Sequence, residues 1–391
     1  MWSDELAHHG QHVMTVCNAC RYCEAYCPVF QAMEDRLTFA KGDLTYLANL
    51  CHNCGECLYA CQYAPPHEFG INVPRTLAEI RLASYEESCW PNIMSRAFAR
   101  QPSLTAAALV AGLVVMYLAA RAFSGQPAPG DFYQVVPHHV MVALFSGVSL
   151  FAVAALVVAA RRLARGIAPE TGRAVKPAAM NRPFGAIGLA LGDALTLRHL
   201  HGAGEDCTNA EESRGPWRRR FHHCTSYGFA LCFASTTVAA IYHVIFGWRA
   251  PYAYTSLPVV LGTIGGIGLL IGPAGLWAVR GSRDPALGDP AQRGLDTSFL
   301  AMLFLTSATG LLLLVVRESR MMPALLVGHL GFVLALFLML PYGKFVHGIH
   351  RLTALVKFAN ESAVPQVPIG RSERTTTETT EVTGKKSLSS R

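Results

Sequence analysis

Two runs of cysteine near the start of the chain constrain its fold more than any other feature. Residues 17–28 read CNACRYCEAYCP and residues 51–61 read CHNCGECLYAC, so the spacing C-x2-C-x2-C-x3-C occurs twice. In this spacing three cysteines bind one iron–sulfur cluster and the fourth reaches a neighbouring cluster. We therefore predict two [4Fe–4S] clusters, one held by Cys17, Cys20, Cys23 and Cys61 and the other by Cys51, Cys54, Cys57 and Cys27.

Zinc and disulfides are the alternatives for these eight thiols. A zinc site needs four ligands, usually from two pairs separated by a longer loop, whereas here two complete sets of four stand in tandem. Disulfide frameworks are typical of small secreted chains. Residues 1–10, MWSDELAHHG, lack the basic segment and apolar run of a secretory signal peptide, so we expect the cysteine-rich part to stay in the cytoplasm. The remaining thiols show no spacing pattern and are interpreted as buried or free: Cys89, Cys207, Cys224 and Cys232.

The residues between the two runs predict a helical cluster domain. Apolar residues recur at helical intervals between Phe30 and Leu50, which predicts one helix over that stretch. We therefore expect an all-α fold, in which a helical ferredoxin-like domain replaces the compact β-rich ferredoxin. Residues 1–100 carry seven Lys and Arg against eleven Asp and Glu, so this domain is acidic.

The rest of the chain is strongly apolar. The whole sequence is 51% hydrophobic and only 15% charged, which excludes an ordinary soluble protein of this length. Apolar runs of about twenty residues have the length of a membrane-crossing helix. We predict six such spans, with no Asp, Glu, Lys or Arg in their interiors, at 103–123, 138–160, 224–247, 256–279, 298–316 and 323–346. The lack of interior charges disfavours an ion-coupled transporter.

Basic residues set the expected orientation in the membrane. The segment 161–221 holds eleven Lys and Arg, and the loop 280–297 adds three Arg. By the positive-inside rule we predict a multi-pass protein of the cytoplasmic (inner) membrane with both termini and the 161–221 loop in the cytoplasm. These basic residues mark topology, so no nucleic-acid partner is expected. Residues 188–200 fit either a helix on the membrane surface or an ordinary loop helix.

The predicted domains are a bis-[4Fe–4S] domain at 1–100, a six-span membrane domain at 101–358 and a disordered tail at 359–391. The tail is rich in Ser, Thr, Glu and Lys, with too little apolar surface to fold alone. In the fourth span, the glycines of GTIGGIGLLIGPAG could admit a flat ring or serve close helix packing, which is favoured. Because this segment is an apolar helix, it is no dinucleotide fingerprint.

Histidines in the spans are candidate haem ligands. Electrons that reach the clusters need an exit, and histidine is the usual axial ligand of haem. We predict b-type haem, with an outer pair of His243 and His329 and an inner pair of His347 with His222 or His223. Eighteen residues separate His329 from His347, so on one continuous helix they would share a face about 27 Å apart. One haem or two stays open. Three histidines at helix ends are interpreted as facing the headgroups: His138, His139 and His350.

Several long stretches carry a resemblance more specific than the cysteine spacing. They read CQYAPPHEFGINVPRTLAEIR at 61–81, RRRFHHCTSYGFALCFASTTVAAIYH at 218–243, APYAYTSLPVVLGTIGGIGLLIGPAGL at 250–276 and HLGFVLALFLMLPYGKFVHGIHR at 329–351. Together with the first cysteine run they resemble the citrate utilisation protein B family, also called tricarballylate utilisation protein B, over roughly residues 10–358.

The resemblance implies a membrane electron-transfer protein with two [4Fe–4S] clusters and haem. Such a protein reoxidises the reduced flavin of a soluble FAD-dependent dehydrogenase, in that family one acting on tricarballylate, and passes the electrons to the quinone pool. The resemblance also implies haem ligation by the helix histidines His222, His223, His243, His329 and His347. The alternative within electron transfer is the membrane subunit of a heterodisulfide-reductase-like or nitrate-reductase-like complex.

Overall fold

The computed structural model describes residues 2–100, 103–123, 131–168, 183–200 and 215–362. No β-strand occurs in these ranges, so the predicted all-α class is confirmed. The α-helices of the described residues are α1 (Asp4–Cys20), α2 (Pro28–Glu34), α3 (Lys41–Leu50), α4 (Glu56–Tyr59), α5 (Val73–Ser88), α6 (Asn92–Arg100), α7 (Ser103–Phe123), α8 (Phe132–Val135), α9 (His138–Gly166), α10 (Pro183–Thr196), α11 (Trp217–Val244), α12 (Leu257–Gly281), α13 (Gln292–Val316), α14 (Met322–Met339) and α15 (Val346–Ser362). Cys207 and the predicted tail from residue 363 onward lie outside the described residues.

The first five helices form a unit around α3. Every residue of α3 from Asp43 to Leu50 is buried, as expected for a helix at the centre of a fold. Helices α1, α2 and α5 pack against it, and Met14, Met33 and Leu77 fill the space between them. The two cysteine runs begin near the ends of α1 and α3, so this core determines where the thiols lie.

The predicted single helix from Phe30 to Leu50 is wrong, because the structure divides it into α2 and α3. The carboxylate of Asp43 accepts a hydrogen bond from the backbone N–H of Ala40 (3.1 Å), which defines the start of α3. A second hydrogen bond to the same carboxylate, from Nε of Arg36 (2.9 Å), holds the loop between the helices. The apolar pattern in the sequence runs through this break without change. Hydrophobic periodicity alone does not reveal where a side chain caps the start of a new helix.

Six of the described helices are long and apolar enough to cross a membrane: α7, α9, α11, α12, α13 and α14. They overlap the six predicted spans one for one. Length and composition therefore indicate a multi-pass membrane protein.

The sixth span ends earlier than predicted. Helix α14 stops at Met339 and α15 begins at Val346, with Pro341 between them. Proline lacks the amide hydrogen and clashes with the preceding turn, so a regular helix does not continue through it. The prediction that His329 and His347 share one face of a continuous helix is therefore wrong. The break lets α15 leave the bundle and pack against α3 and α10.

The glycines of α12 allow close packing against α11. A Cβ added at Gly265 would lie 2.8 Å from the carbonyl oxygen of Gly228, and one added at Gly228 would lie 2.9 Å from that of Gly265. These distances are too short for a carbon, so only hydrogen fits at either position. The packing role favoured for the GTIGGIG segment is thereby supported.

Helix α10 covers part of the predicted 188–200 segment. Ala186 and Ala190 are buried, and α10 packs against α15. On its remaining surface Ile187, Leu189 and Leu195 are exposed. An exposed apolar face on a helix between two spans favours the membrane-surface alternative.

Helix α15 connects the membrane bundle to the unit formed by the first five helices, which is here called the cluster unit. Glu361 accepts hydrogen bonds from Nη2 of Arg36 (2.8 Å) and from the hydroxyl of Tyr46 (2.9 Å). Arg36, whose side chain is 6% exposed, also pairs with Asp43. Buried charges persist only where they are paired and hydrogen-bonded, so these groups hold one another in place. Residues 359–362, predicted to begin the tail, form the last turn of α15.

We expect Glu361→Gln to destabilise the protein by on the order of 2 kcal/mol, because it removes one charge from this buried network. Thermal unfolding in detergent should show a midpoint lowered by several degrees. Glu87→Gln is the matched control, since Glu87 pairs with Lys41 at 2.7 Å where its side chain is 43% exposed. Exposed pairs contribute at most about 1 kcal/mol. Equal midpoints for the two variants would contradict the assignment.

Candidate functional site

The first cysteine run lies where α1 ends and α2 begins. Cys17 and Cys20 occupy the last turn of α1. The helix closes at Arg21, which has φ 53° and donates its backbone N–H to the carbonyl of Cys17 (2.8 Å). A left-handed residue at this position turns the chain sharply. Cys23 lies in the turn that follows, and Cys27 is the residue immediately before α2.

The second run lies where α3 ends. Cys51 is the first residue beyond α3, and its thiol accepts the backbone N–H of Asn53 (3.3 Å). Asn53 has φ 54° and donates its side-chain amide to the carbonyl of Pro74 (3.1 Å), which ties the loop to α5. Gly55, at φ 92°, starts the short α4, which carries Cys57. A side chain is strongly disfavoured at that backbone angle.

A cysteine of the other run is among the neighbours that raise the pKa of Cys17, Cys27 and Cys57. Burial raises the pKa of Cys17 to about 12, and the nearby thiols of Cys61, Cys23 and Cys20 contribute in that order. Burial also raises the pKa of Cys27, with contributions from Cys54 and Cys51. Burial raises the pKa of Cys57 as well, and the thiols of Cys54, Cys51, Cys27 and Cys23 contribute in that order. Most of these neighbours are the ones expected of the exchanged ligand sets, which stay a prediction.

Cluster iron would relieve the mutual repulsion of these thiolates. Thiols with raised pKa release their protons when a cation takes their place. A zinc ion takes four thiolates, whereas two four-iron cubes use all eight thiols of the two runs. The donor set therefore fits clusters better than zinc.

A group of four arginines, here called the arginine cluster, surrounds the second run. Arg351 donates to the carbonyl of Cys51 (2.5 Å), and Arg218 to those of His52 (2.8 Å) and Asn53 (3.0 Å). The other two donate to Asn53 (3.1 Å) and to Ala48 (2.8 Å): Arg283 and Arg81. These side chains come from α5, α11, α15 and the residues after α12. The cluster unit is thus fastened to the bundle at the loop that carries its cysteines.

The arginine cluster is positively charged and short of acceptors. Arg81 Nη2, Arg283 Nε and Arg351 Nη1 are buried and have no hydrogen-bond partner among the described residues. Burial, together with neighbouring arginines, lowers the pKa of Arg283 and of Arg351 to about 10, so both stay charged at pH 7. Four thiolates around a [4Fe–4S] core leave it net negative, and nearby charge sets its reduction potential. The arginine cluster therefore fits an anionic iron–sulfur centre.

The histidines of the predicted inner pair lie one helical turn from two of these arginines. The rings of His222 and His347 have centroids 6.0 Å apart and planes inclined by 80°. Nδ1 of His347 contacts the carbonyl of Lys344, which leaves Nε2 for a ligand. Burial, with His222 and Lys344 nearby, keeps the pKa of His347 well below its ordinary value, so the ring is neutral. Nδ1 of His222 is buried without a partner among the described residues.

These features fit axial ligation of a haem iron. Neutral imidazoles bind iron, and a carbonyl on the opposite ring nitrogen fixes the ring and its tautomer. Of the two candidates for the α11 ligand, His222 is favoured because its ring lies beside that of His347. His223 contacts the ring of Tyr227 (5.5 Å between centroids), and its Nε2 is likewise buried without a partner among the described residues.

The predicted outer pair, His243 with His329, is placed differently. His243 stacks on His138, with ring centroids 3.6 Å apart, and its Nδ1 lies 3.4 Å from the hydroxyl of Tyr133. The 3.6 Å between the ring centroids of His138 and His243 leaves no room for an iron between these two rings. His329 lines a cavity between α11, α12, α13 and α14, and His243 is not among its lining residues. Haem ligation by His243 and His329 together stays a prediction that gains no support from these positions.

Some functional features were missed from the sequence. His350, interpreted as facing the headgroups, is fully buried, and its Nε2 lies 2.5 Å from Oγ of Ser88, so that interpretation is wrong. The arginine cluster was not predicted. One signal was available, because Arg218 precedes His222 by four residues and Arg351 follows His347 by four. Residues four apart share a helix face, so this pairing placed the arginines beside the histidines.

The fold and the thiol arrangement define the class: a multi-pass membrane protein with an amino-terminal iron–sulfur domain. The family model "Citrate utilization protein B" matches residues 97–367, and "Citrate utilization protein B Fer4-like domain" matches residues 10–87. A relative named "Citrate utilization protein B", from Escherichia coli, is 47% identical over 356 residues, which are 90% of this chain and 91% of the relative. The chain belongs to the citrate utilization protein B family. No solved structure matches it.

Exchange of the fourth ligands can be tested by substitution. We expect Cys61→Ser to impair the cluster of the first run and Cys27→Ser that of the second, because each thiol lies with the other run. The electron paramagnetic resonance spectrum of each reduced variant should show one altered signal, which corresponds to about four of the eight cluster irons. If Cys61→Ser disturbed the same signal as Cys54→Ser, the exchange would be wrong.

We expect the arginine cluster to raise the reduction potential of the second-run iron–sulfur cluster and not that of the first-run cluster. Removing a nearby positive charge disfavours the added electron, so Arg218→Gln should lower the midpoint potential of the second-run cluster, on the order of 50 mV. Redox titration monitored by electron paramagnetic resonance measures both centres. Arg220→Gln is the control, because Arg220 lies two residues away and is exposed. A shift shared equally by both centres, or by both variants, would contradict the role.

Proposed function

We propose that this protein carries electrons from the reduced flavin of a soluble FAD-dependent dehydrogenase through two [4Fe–4S] clusters and b-type haem to the membrane quinone pool. Clusters and haem supply one-electron chemistry, whereas reduced flavin gives up two electrons and two protons. Reduction of a quinone to a quinol takes up the same number of both, so the overall exchange balances.

The observation that carries the proposal is the connection between the second cysteine run and the histidine pair. Arg218 binds the loop of that run, and one turn further along α11 lies His222. Arg351 binds the carbonyl of Cys51, and one turn away on α15 lies His347. One helical turn spans about 5.4 Å. The residues suited to hold a cluster and those suited to hold haem are thus parts of one hydrogen-bonded unit.

Exposed side chains beside the first run support docking of the partner there. Tyr22, between two of its cysteines, is 66% exposed, and Leu37, in the loop before α3, is 90% exposed. Exposed aromatic and aliphatic side chains are typical anchors of protein interfaces. Because residues 1–100 carry excess negative charge, we infer that the dehydrogenase presents a basic surface to them.

The same arrangement supports the proposed orientation in the membrane. The cluster unit packs on the end of the bundle from which the 161–221 and 280–297 loops emerge. Both loops are basic, so the positive-inside rule places this end, and hence the clusters, in the cytoplasm. We therefore propose the cytoplasmic membrane as the location, with the dehydrogenase docking from the cytoplasm. Citrate or tricarballylate would be metabolised by the partner, as the relative's name and the resemblance suggest.

Cofactor analysis of purified protein tests the proposal. Anaerobic preparation in detergent should give about eight irons in clusters per chain plus haem. We expect His347→Ala to lose the reduced-minus-oxidised haem band, because it removes a ligand. His223→Ala is the control on the neighbouring face of α11 and should keep that band. Reduced dehydrogenase should reduce the haem of the wild type, and a protein in which reduced clusters never reduce haem would end the proposal.

A further inference from the structure

A cavity inside the membrane bundle lies beyond the histidine pair. It has a volume of about 340 Å³ and lies between α11, α12, α13 and α14. Most of its lining is aliphatic or aromatic, for example Phe229, Leu303 and Phe337. Cavities of this size, apolar with a few polar groups, are the usual form of small-molecule sites.

The polar groups of this cavity are mostly occupied. Ser235 donates to the carbonyl of Pro258 (2.6 Å), Thr263 to that of Val259 (2.7 Å), and the hydroxyl of Ser307 to that of Gly266 (2.7 Å). The hydroxyl hydrogen of each of these three side chains is thus already bound to a helix carbonyl. They are therefore poorly suited to recognise a ligand.

Two lining groups differ. Oγ1 of Thr306 is buried and has no hydrogen-bond partner within the described part of the chain. Oγ1 of Thr309 donates to the carbonyl of Leu305 (2.8 Å), so Nδ1 of His329 donates to Oγ1 (3.2 Å) and Nε2 of the neutral ring is left as an acceptor. Leaving the buried hydroxyl of Thr306 unpaired costs about 1–3 kcal/mol, so its retention calls for a ligand acceptor. Thr306 and His329 come from α13 and α14, so the lining of the cavity offers one donor and one acceptor.

The cavity reaches the lipid-facing surface at α11. Phe233 and Thr236 line it and are both exposed on the outside of the bundle, Phe233 by 59%. A ligand with a polar head and a long apolar tail can therefore place the head inside and leave the tail in lipid.

The cavity also lies close to the histidine pair. Phe229 lines it, seven residues along α11 from His222, which corresponds to about 10 Å. The ring of Phe229 contacts that of Phe345, two residues before His347 (5.5 Å between centroids). A redox-active ligand in the cavity would be within a short distance of a haem held by His222 and His347.

We propose that this cavity binds the head group of a membrane quinone or its quinol, with Thr306 donating a hydrogen bond to a head-group oxygen and Nε2 of His329 accepting one from the quinol hydroxyl. The inference rests on the proposed function, which names quinone as the acceptor, and adds the site and the residues. A second haem is the competing occupant, but His329 is the one histidine among the described lining residues.

Binding of a fluorescent quinone analogue, heptyl-hydroxyquinoline N-oxide, to the purified protein tests the proposal. We expect Thr306→Val, which removes the hydroxyl and keeps the shape, to weaken binding about five- to tenfold. His329→Leu should weaken it at least as much. Thr263→Val is the matched control, since Thr263 lines the same cavity with its donor already used, and its affinity should equal that of the wild type.

Haem content and the haem spectrum, measured on the same samples, separate the two occupants. Unchanged haem together with weaker analogue binding in both variants supports the quinone site. Loss of a haem band in His329→Leu, or equal affinity in all four proteins, would overturn it. Because analogue binding needs no electron flow, failure of this site while clusters still reduce haem would leave the proposed function standing.

Discussion

The burial of arginine against the loop of the second cysteine run is the interaction on which the rest of the structure depends. Guanidinium groups from α5, α11, α15 and the residues after α12 converge on the carbonyls of residues 48–53. Burying these charges is costly unless negative charge and acceptors compensate. The same contacts join the cysteine-bearing unit to the membrane bundle and lie one helical turn from His222 and His347. Under the proposed function, structural attachment and redox tuning fall to one set of residues.

Much of this arrangement could be predicted from the sequence, because its strongest signals are local. Apolar length predicted the six spans, and the thiol spacing predicted an iron–sulfur domain at the amino-terminal side of them. The errors share a cause, since they concern places where a distant contact or a local cap decides. The side chain of Asp43 interrupts the helix predicted from Phe30 onward. Pro341 stands between His329 and His347 in the sequence, and α14 ends two residues before it.

The histidine predictions show the limit of reasoning by depth alone. Depth correctly placed His222 and His347 at one end of the bundle, where their rings face each other. It also matched His243 with His329, although His243 stacks on His138. Rotation about each helix axis and the tilt between helices decide such pairs, and a single sequence determines neither. The cavity beside His329 was invisible for the same reason, because four helices contribute to it.

The return of α15 to the cluster unit has a consequence for biosynthesis. Ala354 and Leu355 belong to the same apolar core as Met33 and Leu44, and Glu361 completes the pairing of Arg36. The ribosome makes the cysteine runs first and this helix almost last, after all six spans have entered the bilayer. Domains usually fold in the order of synthesis. Here the core of the thiol domain is complete only once α15 has been made, so its final packing follows the synthesis of all six spans.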